Sequence, residues 1–258
     1  MKIALTQMDI SWEAKEENKR TCRRLIAAAK EKGAVLIAFP EMTLTGFTMR
    51  PELFAEPEEN SNTENFFLEL SAEYKIAILF GRIEKRQDGY YNLLEIAEQD
   101  QIILKYRKIH PFSYGGESMH YKSGSEIVTT VFHGAPIGAF ICYDLRFPEI
   151  FQISSERSEV LFVIANWPQE RIGQWDILLN ARAVENQAYV LGVNRTGGLH
   201  YCASSVAYDP FGHRIAGGTE EEIVIAEITP GLAASYRKDF PVKQDRQRDL
   251  YERFLKER

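Results

Sequence analysis

The sequence predicts an α/β fold in which two central sheets lie between two layers of helices, a four-layer α-β-β-α sandwich. Two observations predict it. A strand–helix–strand pattern occurs in the first third of the 258 residues and again after about residue 125. No linker or low-complexity segment separates the two halves. Each half then accounts for one sheet and its helices, and a single domain over residues 1–258 is expected.

Hydrophobic periodicity predicts the elements of the first half. Residues 2–8 alternate as a strand, and residues 14–32 carry apolar side chains at helical spacing. The apolar run 34–39 is typical of a buried strand and stops at Pro40. The remaining predicted elements are a helix at 63–74, a strand at 76–82 and paired strands at 90–97 and 101–106.

The second half repeats the pattern. Pro148 predicts a helix start, because proline suits the first turn of a helix. Residues 241–258 are charged with spaced aromatic side chains, which predicts a C-terminal arm packed on another surface. The predicted elements are strands at 126–132, 136–141, 159–165, 188–194, 204–208 and 222–228, helices at 147–155 and 174–187, and a short helix opened by Pro230.

Composition limits the partners and the compartment. The formal net charge of −6 argues against nucleic acid or an anionic membrane as a partner. No stretch approaches the roughly 18 apolar residues of a membrane span, and the N-terminus turns polar too soon for a signal peptide. Cys22, Cys142 and Cys202 are widely spaced without a CxxC pair, which excludes a disulfide framework and a zinc cluster and predicts a cytoplasmic location.

Cys142 lies where the predicted strand 136–141 gives way to a helix. A thiol at such a turn can face the positive end of a helix, which lowers the thiol pKa and favours the nucleophilic thiolate. The alternative is a small core residue, since free cysteine is often buried. Cys22 is assigned to the core of the first helix, and Cys202 to a strand or loop.

Two further ionisable residues are predicted at the same edge of the sheets. Glu41 follows the strand 34–39 and Lys108 follows the strand 101–106, and ligands bind outside the carboxyl ends of strands in α/β sheets. A glutamate can accept the thiol proton, and a lysine can stabilise an oxyanion, with the Tyr143 backbone N–H as a second donor. Taken singly, Glu41 is also explained as a turn cap and Lys108 as a solvated surface charge.

Histidine is the usual alternative base for a catalytic cysteine. His110 and His120 flank the loop after Lys108, so a Cys–His hydrolase is a second mechanistic hypothesis. Neither histidine has an Asn or Asp at a spacing that identifies an orienting partner.

Three motifs contain Glu41, Lys108 and Cys142: FPE at 39–41, YRKIH at 106–110 and ICYDLRFPE at 141–149. Together they resemble the signatures of the nitrilase (carbon–nitrogen hydrolase) superfamily, in order and over essentially the whole chain. The resemblance implies a nitrilase-type fold, a cofactor-free amidase, Glu41 as general base, Lys108 as oxyanion stabiliser and Cys142 as nucleophile.

A fourth loop, Gly115-Gly116-Glu117, resembles the superfamily's loop with a second active-site glutamate. The resemblance implies that Glu117 positions the substrate and Lys108. Pro111 departs from the pattern, since the family loop more often has an apolar residue such as leucine there, and this implies a reshaped pocket wall.

Two segments, ANWPQER at 165–171 and ARAVENQAYV at 181–190, are most similar to the omega-amidase branch, whose members deamidate 2-oxoglutaramate and 2-oxosuccinamate. The resemblance implies a small-molecule amide substrate. Trp167 is expected to line the pocket or to pack beneath it. Arg171 is a candidate ligand for a substrate carboxylate, and Arg146 is another.

The remaining expectations concern assembly and alternatives. Arg182 and Glu185, three residues apart on a helix, are expected to form a surface ion pair. The resemblance implies a homodimer built through the helices after Cys142 and near 174–187, with the arm contributing. A true nitrilase, an N-carbamoyl hydrolase and a non-catalytic regulatory protein stay open as alternatives.

Overall fold

The computed structural model describes residues 1–198, 200–218 and 220–256. The strands are β1 (Lys2–Thr6), β2 (Leu36–Ala38), β3 (Glu56–Pro57), β4 (Ala77–Arg86), β5 (Gly89–Glu98), β6 (Gln101–Arg107), β7 (Thr129–Phe132), β8 (Ala135–Ile141), β9 (Val160–Ala165), β10 (Tyr189–Asn194), β11 (Val206–Tyr208), β12 (Arg214–Gly217) and β13 (Ile223–Glu227). The helices are α1 (Lys15–Glu31), α2 (Pro51–Phe54), α3 (Asn62–Tyr74), α4 (Pro148–Ser154), α5 (Ile172–Asn186), α6 (Leu232–Asp239) and α7 (Arg248–Lys256).

The strands form two mixed sheets. The first has the order β13-β1-β2-β4-β5-β6, with β3 beside β4, and the second has the order β12-β11-β10-β9-β8-β7. Strands β1, β2 and β4 run parallel, and so do β8, β9 and β10. The segments after β2, β8 and β9 therefore leave the sheets at carboxyl edges of parallel strands, where α/β proteins bind ligands.

The main core lies between the two sheets. Leu94 and Ile96 of β5 belong to the same buried cluster as Phe140 and Phe162 of the second sheet. On the other face of the first sheet, α1 and α3 cover a second cluster that contains Cys22 and Phe67. Helix α5 packs on β10 and α4 packs on α5, which completes the predicted four-layer α-β-β-α sandwich.

Most predicted elements are confirmed, with boundaries that differ by a few residues. The predicted strand at 204–208 begins only at Val206, because the Ser205 backbone N–H donates to the side-chain oxygen of Gln7 (2.9 Å) instead of continuing the ladder. Four elements were not predicted: the short helix α2, the two-residue strand β3, the strand β12 and the helix α7 in the C-terminal arm. None of the helices in the described ranges is long and apolar enough to cross a membrane.

Candidate active site

Glu41 lies in a buried turn directly after β2. The turn is tight, since Met42 has a left-handed backbone (φ 48°) and the Thr43 N–H donates to the Gly81 carbonyl (3.0 Å). A Cβ at Gly81 would lie 2.5 Å from the Met42 nitrogen, so a glycine in β4 is needed for the turn to pack there. The Glu41 side chain is fully buried.

Lys108 follows β6 and points into the interior. Its backbone N–H donates to the Asn92 carbonyl (2.9 Å), and its carbonyl accepts from the Gly124 N–H (2.7 Å). The ammonium donates to Glu41 Oε1 (2.9 Å) and to Glu117 Oε2 (2.8 Å). Lys108 is 1% exposed, so the interpretation of Lys108 as a solvated surface charge is wrong.

Glu117 and Asn92 complete a buried group, called here the inner cluster, that consists of Glu41, Asn92, Lys108 and Glu117. Glu117 begins a short 3₁₀ turn and accepts from the Phe112 N–H (2.5 Å). The Asn92 side-chain amide donates to Glu41 Oε1 (2.7 Å) and Glu117 Oε1 (3.0 Å). Asn92 was not predicted as a site residue. The sequence feature that could have identified Asn92 is its polar side chain in an otherwise apolar segment of β5.

The inner cluster holds one cation between two carboxylates, and this sets its electrostatics. Burial favours the neutral form of Lys108, but the charges of Glu117 and Glu41 outweigh it and raise the pKa of Lys108 above its usual value. Burial raises the pKa of Glu117, Lys108 lowers it and Glu41 raises it, with a net rise. Lys108 is therefore an ammonium at neutral pH.

Cys142 opens a five-residue 3₁₀ turn after β8, with a left-handed backbone (φ 48°). The buried Asp144 carboxylate holds this turn beside the Lys108 segment, because it accepts from the Ile141 N–H (3.1 Å) and the His110 N–H (3.0 Å). This segment brings the thiol to the edge where Lys108 and Glu41 lie.

The expected depression of the thiol pKa is wrong. Burial raises the pKa of Cys142 well above its usual value, the charge of Glu41 raises it further, and Lys108 lowers it only in part. Cys142 also begins a single 3₁₀ turn, whose few aligned peptides give little of the positive potential of a long helix. The resting thiol is protonated, so its activation requires a base.

Asn166, which follows β9, fixes the orientation of Glu41. Its backbone N–H donates to Glu41 Oε2 (3.0 Å), and its side-chain amide donates to the Glu41 carbonyl (2.7 Å). The sequence placed Asn166 at a strand end but gave it no role. Cys142, Glu41 and Asn166 therefore come from three strand ends that meet at one edge.

Cys142 opens into a cavity of about 310 Å³. Trp167 lines this cavity and also packs on Trp175 (ring centres 5.4 Å apart), so both expectations for Trp167 are confirmed. Other lining residues are Phe47, Phe112, Tyr143, Arg146, Asn166, Pro168, Glu170, Arg171, His200 and Tyr201. Pro111 is not among the lining residues, although its neighbour Phe112 is.

The two histidines considered as bases do not line this cavity. His110 Nδ1 lies 2.9 Å from Asp144 Oδ1, and the imidazole stacks on Phe147 with ring centres 3.7 Å apart. His120 is exposed. Within the described part of the chain neither histidine hydrogen-bonds to Cys142, whereas the charge of Glu41 acts on the thiol.

Two further expectations concern ions and ion pairs. Arg182 pairs with Glu185 (3.0 Å) as expected, but the expected surface location is wrong, because Arg182 is buried and also donates to the Leu145 carbonyl (2.8 Å) at the end of the cysteine turn. Among residues 1–198, 200–218 and 220–256, no group of three or more His, Cys, Asp or Glu side chains is arranged to hold a metal ion.

The site thus combines a buried lysine between two glutamates with a cysteine at a strand end. The carbon–nitrogen hydrolase family model matches residues 2–238. The chain belongs to the carbon–nitrogen hydrolase (nitrilase) family.

Individual relatives indicate which branch of the family the chain resembles. The chain is 34% identical over 256 residues to a 2-oxoglutaramate amidase of Bacillus subtilis, covering 96% of this chain and 98% of the relative. It is 31% identical over 255 residues to an omega-amidase of Yersinia enterocolitica, covering 95% and 96%. Among solved structures, Nit3 of Saccharomyces cerevisiae, described as a member of branch 10 of the nitrilase superfamily, superposes with a TM-score of 0.85 at 28% identity, covering 96% of each chain. The chain is thus an omega-amidase-like member of the family.

Proposed function

We propose that this protein is a cytoplasmic omega-amidase that hydrolyses the amide of a short dicarboxylic monoamide to ammonia and the acid. The observation that carries the proposal is the inner cluster, with its fully buried Lys108 bridging Glu41 and Glu117 next to the cavity of Cys142. The names of the two relatives support the choice of substrate.

In the proposed acylation step, the Cys142 sulfur attacks the amide carbon while its proton passes to Glu41. This proton transfer is required because burial keeps the thiol protonated. The Lys108 ammonium and the Tyr143 backbone N–H stabilise the oxyanion. The C–N bond then breaks, Glu41 returns the proton to the leaving nitrogen, and ammonia and a thioester remain.

In the proposed deacylation step, water attacks the thioester carbon and gives a proton to Glu41. The C–S bond breaks, Glu41 returns the proton to the Cys142 sulfur, and the acid leaves. Asn92 and Asn166 hold the Glu41 carboxylate from two sides, so the same base is oriented for both steps. Glu117 keeps the ammonium of Lys108 in place.

We further propose that Arg171, with Arg146, binds the substrate carboxylate. Both line the cavity, and within the described residues neither forms an ion pair with a carboxylate. Each guanidinium lies over an aromatic ring, Arg171 over Phe112 (5.8 Å) and Arg146 over Trp167 (4.8 Å), which orients it without neutralising its charge. Lys108 is assigned to the oxyanion, so a second cation is needed to bind the substrate carboxylate at the end of the cavity away from Cys142.

The test is ammonia release from 2-oxoglutaramate, succinamate and a neutral amide of equal length. We expect the wild type to prefer the acidic amides. Arg171→Ala should lower kcat/KM for these roughly ten- to a hundredfold, since a charge-assisted contact contributes about 1.5–3 kcal/mol, and should spare the neutral amide. A wild type that prefers the neutral amide, a nitrile or an N-carbamoyl compound would contradict the omega-amidase assignment.

We also propose a homodimer of single-domain subunits in which α4 and α5 form the interface and residues 241–258 contribute an arm. Ile153, Ile177 and Val184 are exposed apolar side chains on these two helices. The arm is anchored nearby, because the Lys243 ammonium donates to the Ser155 carbonyl (2.6 Å) at the end of α4. Light scattering at micromolar concentration should give a dimer, and Ile177→Asp should weaken it; a monomeric wild type would refute the interface.

A further inference from the structure

A tyrosine hydroxyl in the wall of the cavity has no role in the mechanism described above. Tyr201 lines the same cavity as Cys142. Within the described residues its hydroxyl forms no hydrogen bond with another protein group. Polar groups in a binding cavity that the protein leaves unpaired are available to fix the orientation of a ligand.

The ring of Tyr201 is held from behind by Arg195. The guanidinium carbon lies 4.4 Å from the ring centre. Arg195 is itself fixed, since it is almost fully buried and donates to the carbonyls of Ile10 (2.7 Å) and Thr196 (3.2 Å). A ring packed on a fixed guanidinium loses little freedom when its hydroxyl binds a ligand, so Tyr201 is preorganised.

Tyr201 is also tied to the carboxylate-binding end of the cavity. The Gln169 N–H donates to the carbonyl of His200, the preceding residue (2.8 Å). Gln169 begins the 3₁₀ turn Gln169–Arg171 that carries Arg171. A backbone hydrogen bond therefore links the two segments that carry the hydroxyl and the guanidinium.

The hydroxyl is an uncharged donor. Burial raises the pKa of Tyr201, Arg195 opposes this rise, and the charge of Glu41 adds to it. A phenol that stays protonated suits a neutral carbonyl oxygen, whereas the arginines suit a carboxylate.

We propose that Tyr201 is a specificity-determining residue that donates a hydrogen bond to a neutral oxygen on the carbon next to the substrate carboxylate. It thereby selects 2-oxo dicarboxylic monoamides over monoamides that lack this oxygen. The inference rests on the proposed function, because it takes the Arg171 end of the cavity as the carboxylate end. A substrate without the oxygen leaves the enclosed hydroxyl unpaired, which is unfavourable.

The test is a two-by-two comparison of kcat/KM for 2-oxoglutaramate and glutaramate, the same chain without the oxo group, in the wild type and in Tyr201→Phe. Phenylalanine keeps the ring and its contact with Arg195. We expect Tyr201→Phe to lower kcat/KM for 2-oxoglutaramate about tenfold, the effect of one neutral hydrogen bond. The value for glutaramate should not fall and should rise if anything, because phenylalanine lacks the hydroxyl that this substrate leaves unpaired.

The matched control is Tyr114→Phe, which removes an exposed hydroxyl outside the cavity and should change neither substrate. Thermal unfolding checks that Tyr201→Phe is folded. Equal losses on both substrates, or no loss on either, would overturn the role of Tyr201 while the preference of the wild type for acidic amides leaves the proposed function standing. A wild type that prefers a neutral amide to both acids would overturn the proposed function and this inference with it.

Discussion

Strands β5 and β6 carry two groups of buried charges on opposite faces. The inner cluster lies on the face of Leu94 and Tyr106, toward the other sheet. The outer cluster lies on the face of Glu95 and Lys105, since successive side chains of a strand alternate, and consists of Arg82, Glu95, Lys105 and Glu64.

The two clusters differ in how their charges balance. In the outer cluster two cations meet two carboxylates, with Arg82 bonded to Glu95 (2.6 Å) and Lys105 to Glu64 (2.7 Å). In the inner cluster one ammonium serves two carboxylates, and a protonated thiol lies beside them. A balanced group of charges has no proton left to exchange, whereas an excess carboxylate next to a thiol can accept one. This difference separates a structural ion-pair group from a reactive one.

The largest effect should come from the thiol itself. Cys142→Ala removes the proposed nucleophile and should lower kcat on the order of 10⁴-fold or more with the fold retained, measured as ammonia release and thermal unfolding. Cys202→Ala is the control, because Cys202 lies outside the cavity, and it should stay active. Near-normal turnover by Cys142→Ala would show that the thiol beside the inner cluster is not needed for the reaction.

The next effect should come from the base. Glu41→Gln is nearly isosteric but cannot accept the thiol proton, so thioester formation should fall by about 10³-fold or more. Because burial raises the pKa of Cys142, alkylation of this variant by iodoacetamide should become appreciable only at alkaline pH. His110→Asn and His120→Asn should keep most of the activity. Dead histidine variants with an active Glu41→Gln would instead establish a Cys–His mechanism.

One Glu→Gln substitution in each cluster tests the difference between the inner and the outer cluster directly. Glu117→Gln in the inner cluster should lower kcat by about 10²-fold, because the oxyanion donor Lys108 loses one of its two anchors. Glu95→Gln in the outer cluster should leave kcat unchanged but lower the free energy of unfolding by about 3 kcal/mol, because Arg82 loses a buried partner. Urea unfolding and initial rates on both variants measure this. The opposite assignment of effects would break the distinction between the clusters.

The smallest effect concerns a carboxylate that its donors fully satisfy. Burial alone would raise the pKa of Glu56, but hydrogen bonds from Lys15, Ser61 and Thr63 lower it to about 2. A lowered folded-state pKa stabilises the protein above the unfolded value of 4.5, and this stability is lost as the pH falls toward about 2. Glu56→Gln should be about 1.5 kcal/mol less stable at pH 7, and the gap should close on acidification. A gap that is independent of pH would show that the charge is not involved.

The sequence by itself determined the order of the elements and the identity of the principal site residues. Apolar runs and helical spacing depend on neighbouring residues, so β8, α5 and the strand ends before Glu41, Lys108 and Cys142 were predictable. The three motifs were recognisable because each is contiguous.

The tertiary structure decided the chemistry of those residues. Lys108 and Glu41 are 67 residues apart in the sequence, and Asn166 and Glu41 are 125 apart. No local sequence pattern can therefore predict these contacts. The direction of the Cys142 pKa depends on burial and on charges brought by other strands, which is why the expectation from its turn position was wrong. Asn92 became visible as a bridge between two carboxylates only after the sheets had packed together. Local sequence fixes which groups are present, and long-range packing fixes which protons they hold.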